Sequence, residues 1–419
     1  LNAITRSGSN QHKGSVFYFT RDQSLVGDGP EALGEPGEFS QDSYGFRLGG
    51  PISKDNIFYF VNAEIKSQDQ PTGWSLSGNS GQCYGNCDPV ISAAATRFEN
   101  WLAQYNYNPG SRDENVRDIP ADKAFLRFDF NVNDGNQLTL RWNYVDAGNV
   151  VNRPNSFTYE YPGEAYDFSS ETNSLVGQLN SVFGTNMFNE FRLTFQQIRD
   201  RRPPVSIFPW VELEDVAPEA GYFGEFEAGS EPFSTRNALD QDIIELTNDF
   251  TWIKGNHTMT FGTSNQFFEF DNLFIQNAFG SYEFSNLEQL ESGVAREWEY
   301  TVVNPGQPET QQFGINQIGL YAGDVWAVKP NLTLTYGVRL DVPLFPDSPS
   351  FNPEARAIYG VDTSEMPDGE QLWQPRIGFN WDLKGDGRQQ LRGGVGIFAG
   401  RTPYVWISNQ YARTGIEQT

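Results

Sequence analysis

Apolar and polar residues alternate with a period of two over long stretches of this chain. In "KAFLRFDFNV", Ala124, Leu126, Phe128, Phe130 and Val132 share one face, while Phe125, Arg127, Asp129 and Asn131 share the other. "QLTLRWNYVD" sets Leu138, Leu140, Trp142 and Tyr144 against Thr139, Arg141 and Asn143. "NLTLTYGVRLDV" sets Leu332, Leu334, Tyr336, Val338, Leu340 and Val342 against Thr333, Thr335, Arg339 and Asp341. Successive side chains of an extended strand point to opposite faces, so these runs predict strands with one apolar and one polar face. Less regular runs fall at 44–52, 57–65, 175–183, 191–197, 244–252, 259–270, 318–328, 377–383 and 391–399. Helical spacing competes only in "SNLEQLESG", where Leu287 and Leu290 sit one turn apart behind Ser285 as the expected cap.

The connections alternate in length. Short ones at 54–56, 133–136, 184–186, 254–256, 329–331 and 384–387 are built from Lys, Asn, Asp and Gly, the residues of tight hairpin turns. Long ones at 22–43, 67–122, 146–170, 199–238, 271–312 and 346–372 separate the hairpins. A meander with tight turns at one end and long loops at the other predicts an all-β transmembrane antiparallel barrel, with short periplasmic turns and long extracellular loops. A β-sandwich would use shorter strands, and a propeller would repeat about every forty residues. The segment 271–312 is expected to add either no spanning strand or two, with Trp298, Tyr300 and Val302 of "REWEYTVVN" on one side of such a pair. The expected total is about thirteen to fifteen strands, an odd number that calls for partner strands outside this sequence.

Composition agrees with many strands joined by many turns: 15% of the residues are aromatic, and there are 41 glycines and 24 prolines. No run approaches the ~18 consecutive apolar residues of a membrane helix, whereas barrel strands conceal their apolar face among alternating polar positions. The net charge of −25 argues against nucleic acid as a partner, since binding to phosphates needs a basic surface. Acidic residues gather in two expected loops: Asp28, Glu31, Glu35, Glu38 and Asp42, then Glu212, Glu214, Asp215, Glu219, Glu225 and Glu227. Such clusters read either as a solvated face or as an attraction for cations or basic ligands.

Cys83 and Cys87 in "GQCYGNCDP" read as a disulfide of an oxidising compartment, since two thiolates with no nearby His make a poor metal site. So small a ring shapes a loop tip more than it stabilises a fold. With only His12 and His257 available, both beside turns, no Ser, His and acid constellation can be assembled, and no catalytic residue is expected. "DFNVNDGNQLTL" resembles a calcium loop only superficially, because its Gly falls one place late and Leu140 stands where a bidentate Glu is needed. No metal and no cofactor are therefore expected. Trp142, Tyr144, Trp252, Trp298, Trp326, Trp381 and Trp406 are assigned mainly to interfacial girdles. Trp74, Trp101 and Trp210 fall in long loops and are the candidate ligand contacts. Arg127, Asp129, Arg141, Arg192, Arg339 and Asp341 fall on polar strand faces and are expected to face the lumen, as structural pairs or as a substrate path.

"LNAITRSGSNQHKGSVFYFTRD" resembles the junction of plug and first barrel strand in TonB-dependent outer-membrane receptors, and "YGFRLGGPISKDNIFYFVNAE" resembles the next two strands of their Oar-like branch. "NHTMTFG", "IGLYAGDVWAVKPNLTLTYGVRLDVP" and "LRGGVGIFAGRTPYVWISNQY" are similar to later hairpins of that branch. The resemblance implies a bacterial outer-membrane protein with a plug inside a barrel of twenty-two strands, energised by the inner-membrane TonB, ExbB and ExbD complex. Residues 1–13 would end the plug, and 14–419 would form part of the barrel with its extracellular loops. The extra residue in His12-Lys13-Gly14-Ser15 departs from the family pattern, so no role passes to His12. The implied function is import of a large or scarce extracellular ligand, with outer-membrane lipid and lipopolysaccharide as surroundings. A surface-assembly, secretion-linked or anchoring barrel without import is the alternative.

Overall fold

The computed structural model describes residues 5–26, 38–79, 81–400 and 402–419. Asp28, Glu31 and Glu35 of the first acidic loop lie outside the described residues. Thirteen long strands follow one another in a single antiparallel meander: β1 (Lys13–Asp22), β2 (Ser40–Ser53), β3 (Ile57–Pro71), β4 (Ala121–Asn133), β5 (Asn136–Val151), β6 (Tyr166–Phe183), β7 (Met187–Arg201), β8 (Asn237–Lys254), β9 (His257–Phe274), β10 (Thr310–Lys329), β11 (Leu332–Leu344), β12 (Leu372–Asp382) and β13 (Gln390–Gly396). Each pairs with its sequence neighbours, and a short strand at Val116–Asp118 adds to β3.

The register shows why the sequence forms this wall. Leu48, Val61, Leu126, Trp142, Leu175, Phe195, Ile244 and Phe267 lie directly opposite one another from β2 to β9, one apolar row crossing eight strands. Many members of this face are solvent-accessible, Leu175 and Leu320 at 54% each, as a lipid-facing surface requires. On the opposite face a second row crosses β4 to β11: Asp129, Thr139, Gln178, Arg192, Thr247, Ser264, Gly319 and Asp341. Because the side-chain period is two, a one-residue slip at any strand would exchange these faces, so the pattern also fixes the register.

All six tight turns, such as those at Gly184 (φ 67°) and Gly255 (φ 60°), fall at one edge of the wall. The long connections therefore emerge together at the other edge. Four of them fold into a cap. Thr158–Glu160, Trp210–Leu213, Glu225–Ala228, Ser281–Phe284 and Glu297–Glu299 form a five-stranded sheet contributed by three separate loops. The fourth, between β3 and β4, supplies helix α1 (Pro89–Ala103), which is capped by Asp88 and starts with Pro89. The buried side chains of α1, among them Ile91, Ala95, Phe98 and Leu102, join Val211, Leu213, Phe226 and Phe284 of the sheet in one apolar core.

The segment 275–309 adds no spanning strand. Of the two alternatives for this segment, none or two, the structure has none: "REWEYTVVN" supplies the edge strand Glu297–Glu299 of the cap sheet, which removes Trp298 from the interfacial girdle. Trp406 likewise lies outside the wall, in a single helical turn at Tyr404–Ile407. Helix α2 (Leu287–Ser292) is where spacing placed it, but its cap is Asn286, whose side chain accepts from the Gln289 amide at 3.0 Å, and not Ser285. Helix α1 escaped the period-two reading. Its signal was present in Ile91, Ala94, Ala95, Phe98 and Leu102 at helical spacing behind an Asp-Pro start. No described helix is long and apolar enough to cross a membrane.

Candidate functional site

The cap is held by a few strong anchors. Tyr84 sits at the tip of the loop closed by the Cys83–Cys87 disulfide, whose Cα atoms are 5.4 Å apart. Its ring is fully buried against Tyr159, Tyr222 and Phe226, and its hydroxyl donates to the carbonyls of Phe157 (2.6 Å) and Glu225 (2.8 Å). The small covalent ring thus presents an anchor that ties three loops together. Gly78 is required beside it, because a Cβ there would lie 2.4 Å from the Cys87 sulfur. Arg112 donates to both oxygens of Glu99 (2.6 and 2.7 Å), and Arg97 forks onto Glu291, joining α1 to α2.

One face of the cap sheet packs on α1, and the other carries carboxylates. Glu297, Glu283, Glu212, Glu227 and Glu160 lie directly opposite one another, one on each of the five strands. Glu225 and Glu214 extend the same face. Like charges placed directly across a sheet repel, so this row needs neutralisation. Arg296 supplies it at one end, reaching Glu214 at 2.6 Å and Glu283 at 2.5 Å. At the other end Glu160 accepts from the Arg153 amide. The middle of the row has no cationic partner: Glu212 and Glu227 form no ion pair among the described residues, and the Glu227 carboxyl is hydrogen-bonded to that of Glu164.

Glu164 adds a further buried acid. It is only 4% exposed, Oε1 accepts from Trp210 Nε1 at 3.1 Å, and its carboxyl is hydrogen-bonded to that of Glu227. With Glu160, Glu227, Glu231 and Glu283 it lines a cavity of about 330 Å³. Burial, reinforced by the neighbouring carboxylates, raises all four central groups. Glu227 is pushed up to about 8 and Glu212 to about 7, Glu160 is raised, and Glu164 is held well above the ordinary carboxylate range. The acidic run at 212–227 is therefore not uniformly a solvated face: strand alternation turns Glu212 and Glu227 onto a half-buried carboxylate surface.

The three loop tryptophans are packed, not freely exposed. Trp101 is 9% exposed within the cap core, and Trp74 packs against that core. Trp210 is half-buried through its bond to Glu164. Trp101 still presents an edge, since with Tyr105, Phe208, Tyr282 and Phe284 it lines an aromatic pocket of about 240 Å³.

The six polar wall residues form local pairs. Arg127 forks onto Asp129 (2.7–3.0 Å) and also donates to the carbonyl and hydroxyl of Thr5. Arg141 donates to Gln178, Arg192 pairs with Glu190, and Arg339 pairs with Asp341, which also accepts from Gln374. Asp129, Arg192 and Asp341 share the polar row described above, while Arg127 stands directly opposite Arg141.

Residues 4–417 match the family described as "Outer membrane beta barrel domain". The chain belongs to that family. This outer-membrane barrel chain is thereby placed in the bacterial outer membrane, where its accessible apolar face meets lipid. It is similar in structure to the outer membrane transporter YddB from Escherichia coli (TM-score 0.56, 14% identity), over 95% of this chain and 44% of that one. The siderophore receptor PirA from Acinetobacter baumannii aligns with TM-score 0.51 and 12% identity over 94% and 44% of the two chains. The ferripyoverdine receptor of Pseudomonas aeruginosa aligns with TM-score 0.52 and 12% identity over 91% and 42%. The chain thus spans less than half the length of these proteins, and at such identities the likeness concerns the fold. A search of curated proteins found no match.

Proposed function

We propose that this chain forms the wall and extracellular cap of a TonB-dependent importer of the Oar-like branch, which carries a large or scarce ligand across the outer membrane. One observation carries the reading: every tight turn lies at one edge of a lipid-facing wall, while four long loops at the other edge build a folded, cavity-bearing cap. A barrel that only anchors has no use for so large a folded structure at its mouth. In this reading residues 1–13 end a plug and 14–419 belong to the barrel, and the contact of Arg127 with Thr5 is where the two meet. Transport makes and breaks no covalent bond. The cap receives the ligand, with Trp101 and Trp210 at its cavities, and Trp74 supports them from behind. The polar wall residues Arg127, Asp129, Arg141, Arg192, Arg339 and Asp341 line the path below. The TonB, ExbB and ExbD complex supplies the energy by pulling on the plug.

The test is deletion of the TonB-contacting segment from the full-length protein in its own cell. Ligand uptake, or growth on the ligand, is expected to stop while the barrel still assembles in the outer membrane. Unchanged uptake would reject import.

A further inference from the structure

Near the tight turns the lipid-facing rows of the wall are apolar except at one place. In that half of β2 to β13 the ionisable side chains on the lipid face, tyrosines apart, are Lys254, His257, Asp324 and Lys329, and all four lie on the adjacent strands β8, β9 and β10. Lys254 stands directly opposite His257, and His257 directly opposite Trp326. Lys329 reaches the same face beyond a bulge, opposite Leu332. A carboxylate on a lipid-facing strand is costly unless it is paired. Asp324, 8% exposed, is hydrogen-bonded to His257 Nδ1 at 2.6 Å and to the Tyr336 hydroxyl at 2.7 Å. The imidazole also stacks on Trp326, with centroids 5.3 Å apart and planes at 14°, so its Nε2 is held on the far side of the ring from the carboxylate. Beside it, Lys254 Nζ lies 5.0 Å from the centroid of the Trp252 ring. Carboxylates outnumber Lys and Arg 54 to 29 in the chain, yet neither Lys254 nor Lys329 meets one. The ion-paired lysine among the described residues is Lys123, with Glu64.

We propose that Lys254 and His257, with Lys329 beside them, form a site for the phosphate of an anionic glycerophospholipid in the leaflet at the tight-turn edge. Tryptophan and lysine at a strand end mark the depth at which headgroups lie. On the same face, toward the long loops, exposed Phe261 and Leu320 seat the acyl chains, which makes the occupant a lipid and not a soluble anion. The imidazole donates at both nitrogens only as the imidazolium, the form that Asp324 on one side and a phosphate on the other together favour. A zwitterionic lipid brings its own ammonium to its phosphate and gains less from the two lysines. The site rests on the outer-membrane barrel itself and is independent of import.

The experiment places the full-length protein in phosphatidylcholine bilayers containing phosphatidylglycerol, releases it into detergent, and counts the retained lipids by native mass spectrometry. Phosphatidylglycerol should be retained in preference to phosphatidylcholine. Lys254→Gln should weaken that preference about fivefold, the worth of one surface lysine against anionic lipid. His257→Phe, which keeps a ring against Trp326 but removes the donor, should weaken it at least about tenfold, as loss of a hydrogen bond to a charged group does. Lys66→Gln, at the long-loop end of β3, should change nothing. Because His257→Phe also strips Asp324 of a partner, folding is checked by the migration of unheated protein in dodecyl sulfate gels, and Lys254→Gln leaves the His257–Asp324 bond intact. If the cluster were only a staple between β9, β10 and β11, Lys254→Gln would leave lipid retention unmoved. That result, equal retention of the two lipids, an equal loss with Lys66→Gln, or displacement of the lipid by inorganic phosphate would each overturn the site.

Discussion

The wall and the cap solve opposite solvent problems with the same chain. In the wall, apolar residues point outward: Leu175, Phe195 and Leu320 remain accessible because lipid is their solvent. In the cap, Leu213, Leu290 and Phe226 are fully buried because water is outside. Polar groups are inverted as well. The wall keeps its charges on the opposite face in ion pairs such as Arg127 with Asp129, whereas the cap sets Glu227 against the carboxyl of Glu164 and leaves both without a cation. The wall's register is fixed by backbone ladders from end to end, while the cap depends on a few side-chain anchors joining loops far apart in sequence. It follows that the cap should be separable from the wall.

The most severe challenge to this comparison is Tyr84→Ala. It removes a buried ring and two hydrogen bonds, and should lower cap stability by about 3–5 kcal/mol. Limited proteolysis should open the segments 72–120 and 202–236, while the β circular-dichroism signal of the wall in detergent stays unchanged. Joint loss of cap and wall would show that they are one cooperative unit.

On the wall side, Arg127→Met leaves Asp129, which is 2% exposed, without its cation. An orphaned buried charge costs about 3 kcal/mol or more. Urea unfolding from vesicles should register that loss, with protease resistance of the cap unaltered.

A third test uses pH. Glu212 and Glu227 titrate at about 7 and about 8 in the folded cap against an ordinary 4.5. The folded state therefore holds these protons more tightly. Cap stability is fully present below about 4.5 and declines as pH rises through about 7 to 8. Besides each other, the groups facing them are Glu160, Glu164, Glu214, Glu225, Glu283 and Arg296. At about 1.4 kcal/mol per pH unit between the two pKa values, discounted for partial exposure, the decline is on the order of 2–3 kcal/mol. Thermal melts of the cap at pH 5 and pH 8.5 check it, and no loss at the higher pH would show that the row is solvated after all.

The smallest effect is expected from Arg97→Ala. The forked pair with Glu291 is almost half exposed, so its loss should cost less than about 1 kcal/mol in the same cap melt. A larger loss would mean that the junction of α1 and α2 is a principal support.

The wall was legible because its determinants are local. Alternation in "QLTLRWNYVD" or "NLTLTYGVRLDV" names the strand, its two faces and, through the tight turn beside it, its partner. Chain order then becomes spatial order, and the polar wall residues could be selected by parity alone. The disulfide was legible too, since Cys83 and Cys87 are the two cysteines of the sequence and no histidine lies near them to make a metal site. The cap was not legible. Its strands are three or four residues long, too short for a period to show, and two of their pairings are parallel between different loops. The helical spacing of α1 was present but lay within a segment that turn residues marked as a loop.

By itself, then, the sequence determined which wall strands exist, which face of each meets lipid and which turns are tight, because those depend on side-chain period and backbone turn chemistry within a few residues. Only the tertiary structure decided that Trp101 is packed and not displayed, that Tyr84 is an anchor, and that Glu160, Glu212, Glu227, Glu283 and Glu297 form one row. The physical reason is that burial and charge repulsion depend on distance in space, and the loops that bring these groups together carry no local signal of where they will meet.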